Sequence, residues 1–353
     1  MDKKIKIAII GVGGISGCHI DNYKKNPDVE LYAFCDIDEA KLKMKGQMHG
    51  ITRLYTDVDT MLAELPEIDA VSVCTWNSQH APCTIKALDA GKDVICEKPM
   101  SINVEDAMKM KEAAERNGKI LMLGFVRRYG RDCRIMKDLE KEGDFGDIYY
   151  TKARYIRRRG NPGGWFANKE MSGGGCLIDL GVHVIDYVRY VMGCPKPISV
   201  YGATFDKLGN KGAAEGEWQA SSSGGGICNV EDLAVAIVRF DNGAVLNIET
   251  SFELNGESPT DNSIQIFGTK SGAILQDGIK IYSDIGGHMI NTTLCEPSSA
   301  DFSEMFTSEI NHFVDCVKNQ KQPISTAEDG VLLMKILMGI YESAKTGHEV
   351  ILD

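Results

Sequence analysis

The chain has 353 residues, 43% of them hydrophobic and 25% charged, the composition of a folded globular protein long enough for two hydrophobic cores. Its formal net charge of -11 repels polyanions, so nucleic acid is not an expected partner. No apolar run approaches the roughly 20 residues of a membrane-spanning helix, and the first residues pass straight into a strand pattern with no room for an export signal, so a soluble cytoplasmic protein with no membrane partner is expected.

From Lys4 to Gly124, short β-branched runs alternate with helical patterns. Strands are predicted at 5–10, 31–35, 70–75, 93–96 and 120–123, with helices near 17–25, 39–48, 57–64, 79–90 and 103–117. This rhythm calls for βαβ crossovers, and so for an N-terminal domain over 1–125 with a doubly wound parallel sheet covered on both faces. The first strand runs directly into Gly11-Val12-Gly13-Gly14-Ile15-Ser16, with Ser16 as the small residue at the third fingerprint position. Glycines there permit a tight turn and let backbone N–H groups approach a pyrophosphate at a helix N-terminus. Alone this is equally a ligand-free glycine turn. Asp36 supplies the independent second feature: it ends the second strand, where a carboxylate accepts hydrogen bonds from an adenosine ribose and repels a 2′-phosphate. Ile37 and Asp38 follow with no arginine, so NAD is expected rather than NADP.

Beyond residue 125 the pattern changes. Strands near 147–156, 198–206, 232–241, 243–254, 262–268 and 279–283 follow one another with few helices between, and Asp241-Asn242-Gly243 is a hairpin turn signal. A second, α+β domain over 126–353 is therefore expected, built on a large, open, mainly antiparallel β-sheet. Helical patterns near 301–318 and 327–345 close the chain and could pack on either domain; the second ends at Gly347 as a helix C-cap. The stretch 209–226, rich in Gly, Ser and Ala and containing Trp218, is the longest loop candidate. Eleven cysteines without a C-x-x-C pair, most of them inside apolar runs such as those of Cys35, Cys74, Cys96 and Cys316, read as reduced, buried thiols.

Two further segments carry ionisable groups. Lys98, before Pro99, reads from residue chemistry alone as a solvated turn lysine. Asp179, His183, Asp186 and Tyr190 share one helical face, while apolar side chains from Leu177 to Val191 cover most of the rest. That apolar arc is too wide for a solvated amphipathic helix and points to a buried helix with one ionisable stripe facing a cleft. Asp179 and His183 also stand at i, i+4, a metal-ligand spacing, but no further ligand cluster accompanies them and no metal is expected.

These residues together resemble the Gfo/Idh/MocA oxidoreductase family, named after glucose-fructose oxidoreductase, inositol dehydrogenase and a rhizopine catabolism protein. The marks are the glycine fingerprint followed by His19, Thr75-Trp76-Asn77-Ser78-Gln79-His80, Glu97-Lys98-Pro99, Gly124-Phe125-Val126-Arg127-Arg128, the triplet Gly173-Gly174-Gly175 and Asp179-Leu180-Gly181-Val182-His183. Trp76 departs from the family, which usually has proline there. The resemblance implies a hydride transfer between NAD and a secondary hydroxyl of a sugar, inositol, polyol or glycoside, carbon 3 of a glycoside being a specific possibility. It implies Lys98 beside the nicotinamide and the reacting carbon, Asp179 and His183 on substrate hydroxyls, and Arg127 near the cofactor. Histidine suits the proton acceptor role, Asp179 orients it or binds a second hydroxyl, and a lysine stabilises the developing alkoxide.

The candidate cofactor-binding set is then Gly11, Gly13, Gly14, Ile15, Ser16, Asp36, Ile37, Thr75, Asn77, His80, Glu97, Lys98 and Arg127. The substrate set is Lys98, Arg128, Tyr155, Trp165, Asp179, His183 and Trp218, the last on a loop that is either a substrate lid or a structural anchor. A homodimer or homotetramer through the C-terminal sheet is expected. The competing functional class is a cofactor-binding regulator without turnover, against which the joint presence of Lys98, Asp179 and His183 argues.

Overall fold

The structure, a computed structural model, describes residues 4–209, 226–294 and 301–352. Trp218 and most of the 209–226 segment lie outside the described residues.

The first part of the chain alternates as its periodicity requires: β1 (Ile5–Ile10), α1 (Ser16–Lys25), β2 (Val29–Cys35), α2 (Glu39–His49), β3 (Leu54–Tyr55), α3 (Val58–Glu64), β4 (Ala70–Val73), α4 (His80–Asp89), β5 (Asp93–Glu97), α5 (Val104–Asn117) and β6 (Leu121–Gly124). Helix starts are set by side chains that accept from free N–H groups of the first turn: Asp38 from Lys41, Asp57 from Thr60 and Asn103 from Asp106. Gly50 and Gly118 end α2 and α5 in the left-handed conformation. Among the described residues the strands form one six-stranded parallel sheet in the order β3-β2-β1-β4-β5-β6. This is the doubly wound order, whose switch point lies between β1 and β4. Its strands are buried on both faces, as parallel strands under helices must be.

The second part contains α6 (Arg131–Lys141), β7 (Ile148–Arg157), α7 (Lys169–Ser172), α8 (Val182–Val191), β8 (Pro197–Phe205), β9 (Leu233–Phe240), β10 (Val245–Ser251), β11 (Thr260–Gly268), β12 (Ser271–Leu275), β13 (Ile279–Ile285) and β14 (His288–Thr293). The chain closes with α9 (Phe302–Asn319), α10 (Ala327–Thr346) and β15 (Val350–Ile351). Among the described residues a nine-stranded sheet runs β14-β13-β12-β11-β7-β10-β9-β8-β15. Its pairs are antiparallel except β7 with β10, which run parallel. Gly243, at φ 83°, makes the tight turn between β9 and β10, and Gly347, at φ 73°, caps α10.

The chain divides into two compact units, 1–126 with 302–331 and 127–301 with 332–353. The closing helices are thus shared between them. α9 packs on α1, where the Thr307 hydroxyl donates to Asn22 at 2.7 Å and Lys318 pairs with Asp28 at 2.8 Å. The far end of α10 lies against β8, with the Ser343 hydroxyl accepting the Gly202 N–H at 3.0 Å. Cys35, Cys74, Cys96 and Cys316 are buried free thiols, and burial pushes the Cys316 thiol up to about 11. Among the described residues no helix is long and apolar enough to cross a membrane.

Candidate active site

The fingerprint glycines are explained by what surrounds them. Gly11 has φ +87°, and a Cβ there would lie 2.7 Å from the Cys74 backbone. Only glycine lets β1 turn this closely past the end of β4. A Cβ at Gly13 or Gly14 would meet no atom within 4 Å, so the space before the N-terminus of α1 is open. The buried Ser16 hydroxyl donates to the Gly13 carbonyl at 2.7 Å and fixes the loop, while Ile15 stands at the N-cap of α1 without a side-chain bond. This leaves backbone N–H groups available to an anion.

Asp36 follows β2. Its Oδ2 accepts the Val12 N–H at 2.8 Å and its Oδ1 the Asp38 N–H at 2.9 Å, so the carboxylate is tied to the fingerprint loop while each oxygen keeps a second lone pair. Ile37 is 73% exposed beside it. Thr75 and Trp76 continue from β4, with the Thr75 hydroxyl donating to the Trp76 carbonyl at 3.2 Å. Trp76 has φ −73° and ψ 159°, a backbone conformation open to proline as well. Asn77 and His80 are buried immediately afterwards.

Glu97 ends β5 and is buried, with Oε1 2.8 Å from His19 Nε2. Burial alone would raise its carboxyl, but the hydrogen bond and charge of His19 outweigh it and hold the group below the usual carboxylate range. Lys98 is half-buried, and the bond to Pro99 is cis.

In the second unit, Asp179 lies on a π-helical turn, Leu177–Gly181, that leads into α8 at Val182. Asp179 and His183 are half-exposed on a helix otherwise nearly all buried. The expected four-residue stripe is shorter than the periodicity suggests. Asp186 is buried and pairs with Arg128, whose Nη2 and Nε donate at 2.6 and 3.0 Å to its two oxygens, and Tyr190 lies 4.7 Å under the same guanidinium. That forked, charge-assisted pair occupies the half of the stripe nearer the end of α8. Arg127 faces elsewhere: its guanidinium lies over the Tyr187 ring and 4.0 Å from the buried Asp132, whose carboxyl burial raises. Arg127 and Tyr155 meet in a cavity of about 190 Å³ that Asp132, Val184 and Asn262 also line. Trp165 stacks on Phe166 at 3.8 Å between ring centroids.

Sequence reasoning missed the acid that sets the turn before Asp179. Buried Glu231 accepts the Gly175 N–H at 2.9 Å, the Leu177 N–H at 3.0 Å and the Tyr341 hydroxyl at 2.8 Å. It thereby caps the N-terminal end of the helical turn that carries Asp179, with its carboxyl group pushed above the usual carboxylate range by burial. The glycine triplet follows from this packing, because a Cβ at Gly174 would reach the Tyr341 hydroxyl at 2.0 Å and one at Gly175 the Glu231 carbonyl at 2.1 Å. Glu231→Ala strands two buried backbone donors at roughly 1–3 kcal/mol each, along with the Tyr341 hydroxyl, so thermal denaturation should show a fall in Tm of about 5 °C, with Glu231→Gln less affected.

A glycine turn at the switch point of a doubly wound sheet, opening a helix and bound to a carboxylate at the end of the next strand, defines a dinucleotide-binding enzyme domain. Family models bear this out over most of the chain. Residues 5–125 match the oxidoreductase family's NAD-binding Rossmann fold, and 137–352 match its C-terminal alpha/beta domain. The chain belongs to the Gfo/Idh/MocA oxidoreductase family. It is 35% identical over 350 residues to the D-glucoside 3-dehydrogenase of Escherichia coli K12, covering 98% of this chain and 97% of that one. It is 26% identical over 361 residues to the scyllo-inositol 2-dehydrogenase (NAD(+)) of Bacillus subtilis 168, covering 100% and 98%. A levoglucosan dehydrogenase structure in complex with NADH shares the fold with a TM-score of 0.84 at 21% identity, covering 99% and 100%.

Proposed function

We propose that this enzyme oxidises a secondary hydroxyl of a neutral, hydroxyl-rich ring, a D-glucoside at carbon 3 being the leading substrate, with NAD rather than NADP. The single observation that carries the reading is the placement of Asp179 and His183, four positions apart and both partly accessible, on a helix most of whose other side chains are buried. Ionisable side chains gathered at the accessible edge of an otherwise apolar, buried helix are candidates for ligand contact.

NAD, when bound, supplies the hydride acceptor. The open space at Gly13 and Gly14 and the lone pairs of Asp36 fit its pyrophosphate and ribose, with Ile15, Ser16, Ile37, Thr75 and Asn77 around them. His183 takes the hydroxyl proton, Asp179 orients it or accepts from a neighbouring hydroxyl, and the Lys98 ammonium stabilises the negative charge that grows on oxygen. Arg127 is kept as the cofactor contact that the family resemblance implies, and Tyr155, which lines the same cavity, as a substrate contact. Arg128 is left out of this set, because its fully buried guanidinium is committed to Asp186. Identity to the D-glucoside 3-dehydrogenase over nearly the whole length supports the choice of substrate.

The test is NAD reduction, followed at 340 nm, across methyl β-D-glucoside, D-glucose, levoglucosan, myo-inositol and scyllo-inositol. The glucoside should give the highest kcat/KM, and an inositol or free sugar ahead of it would overturn the assignment. Cofactor preference turns on Asp36: wild type should favour NAD over NADP, and Asp36→Ser should narrow that ratio by about tenfold or more, since one unfavourable charge contact of about 1.4 kcal/mol is tenfold in affinity. Tighter binding of NADP by the unaltered enzyme would contradict it.

The enzyme is further proposed to be a homodimer or homotetramer. On the open face of the nine-stranded sheet, Tyr201 of β8 stands opposite Ile237 of β9, 53% and 43% exposed. Contiguous exposed apolar side chains on a sheet mark a contact surface. Light scattering at micromolar concentration should report a dimer or larger, and Tyr201→Lys with Ile237→Lys should yield monomers. A wild-type monomer would exclude the interface.

A further inference from the structure

The turn that carries Lys98 is held on both sides by buried histidines, and the polar atoms of His80 and Glu97, counted above among candidate cofactor contacts, meet groups of the protein itself. Upstream, Glu97 Oε2 accepts the Lys98 N–H at 3.2 Å while Oε1 meets His19 Nε2 at 2.8 Å. His19 Nδ1 lies 3.3 Å from the Ser72 hydroxyl, itself 2.7 Å from the Tyr23 hydroxyl, so α1, β4 and β5 together fix the carboxylate. Gly124 of β6 leaves it room: a Cβ there would stand 3.3 Å from the Glu97 carboxylate. Glu309 of α9 closes the cluster, with its oxygen, that of Glu97 and a ring nitrogen of His19 all within 4.8 Å of one another.

Downstream, His80 Nδ1 lies 2.6 Å from the Pro99 carbonyl and Nε2 3.1 Å from that of Thr75. Burial holds the His80 ring below the ordinary histidine value, and both ring nitrogens face backbone carbonyls that only an N–H can donate to, so the ring ties the Pro99 and Thr75 peptides together.

Apolar side chains of equal volume would hold this core at least as well, because buried charged and polar groups carry a desolvation cost that a hydrophobic replacement avoids. What the network provides instead is a fixed peptide frame on either side of a half-exposed lysine. A long, flexible side chain keeps its ammonium in register only while its backbone stays put, and a misplacement of about 1 Å can cost on the order of 100-fold in rate. We propose that His80 and the Glu97–His19 pair are positioning residues that act on catalysis through Lys98, by clamping the peptides before and after it. The proposal rests on the role given to Lys98 above.

A double-mutant cycle tests it, with kcat, KM and the NADH dissociation constant measured for wild type, His80→Leu, Lys98→Ala and the double variant, on the member of the sugar and inositol panel that turns over fastest. His80→Leu should lower kcat by about 100-fold, with KM and NADH affinity within threefold, and His80→Gln, which keeps an N–H donor, should recover much of the loss. In the Lys98→Ala background the same change should cost less than threefold, since a clamp has no effect once its lysine is gone. If Lys98→Ala is slow but His80→Leu costs as much there as in wild type, or if NADH affinity falls in step with kcat, the positioning role is wrong. If Lys98→Ala retains the wild-type rate, the assignment of Lys98 itself fails, and the clamp with it. Glu97→Gln, which preserves the side-chain volume, runs the same cycle should His80→Leu not fold.

Discussion

Replacing His183 with alanine is expected to lower kcat by on the order of 100- to 10,000-fold, the range lost with a positioned acid/base group, while NADH binding stays within a few-fold. His183 belongs to the helix that follows the glycine triplet, and the fingerprint and Asp36 belong to the other unit, so cofactor affinity and proton transfer are separable. An imidazolium cannot accept the hydroxyl proton, so wild-type kcat for oxidation should fall on the acid side, and that limb should vanish in the variant. Stopped assays of kcat against pH check both. Activity within a few-fold of wild type would remove His183 as the base and pass the role to Lys98 or Asp179.

Lys98→Ala should cost about 100- to 1,000-fold in kcat, the loss typical when one donor to a developing oxyanion is removed. Lys98→Arg should recover part of it, because a guanidinium keeps the charge but not the compact point geometry of an ammonium. The distinguishing measurement is the effect on KM: removal of an interaction made only as charge develops lowers kcat with KM little changed. A raised KM at unchanged kcat would make Lys98 a substrate anchor instead.

The parallel half of the molecule was readable because period and length both speak there: the buried strands longer than two residues follow from short apolar runs spaced by helical patterns, and the starts of α2, α3 and α5 carry a polar cap as well. β3, two residues long, and the short strands β12, β14 and β15 were not, since their pairing comes from sheet neighbours and not from a local pattern. Among the described residues the one parallel pair of the second sheet, β7 with β10, joins residues 95 positions apart and leaves no local trace.

The site divides in the same way. The position of Asp36 beside the fingerprint loop was legible because both lie at the ends of neighbouring strands that follow from local pattern. Arg128 was not: an arginine beside a family motif reads as a ligand, and only a partner 58 residues away shows it to be half of a buried ion pair. Glu231 was missed altogether, being a lone acid whose partners at Gly175, Leu177 and Tyr341 come from distant parts of the chain. A hint existed in the glycine triplet, whose lack of side chains implies something packed against it.

Transfer of hydride from carbon 3 of a glucoside to NAD, proposed above, leaves an isotopic trace. Methyl β-D-[3-²H]glucoside with NAD and enzyme, followed by mass spectrometry of the isolated reduced cofactor, tests it directly. One deuterium in the nicotinamide ring of NADH is predicted. Reduced cofactor without deuterium, or no reduction of NAD at all, would contradict the account.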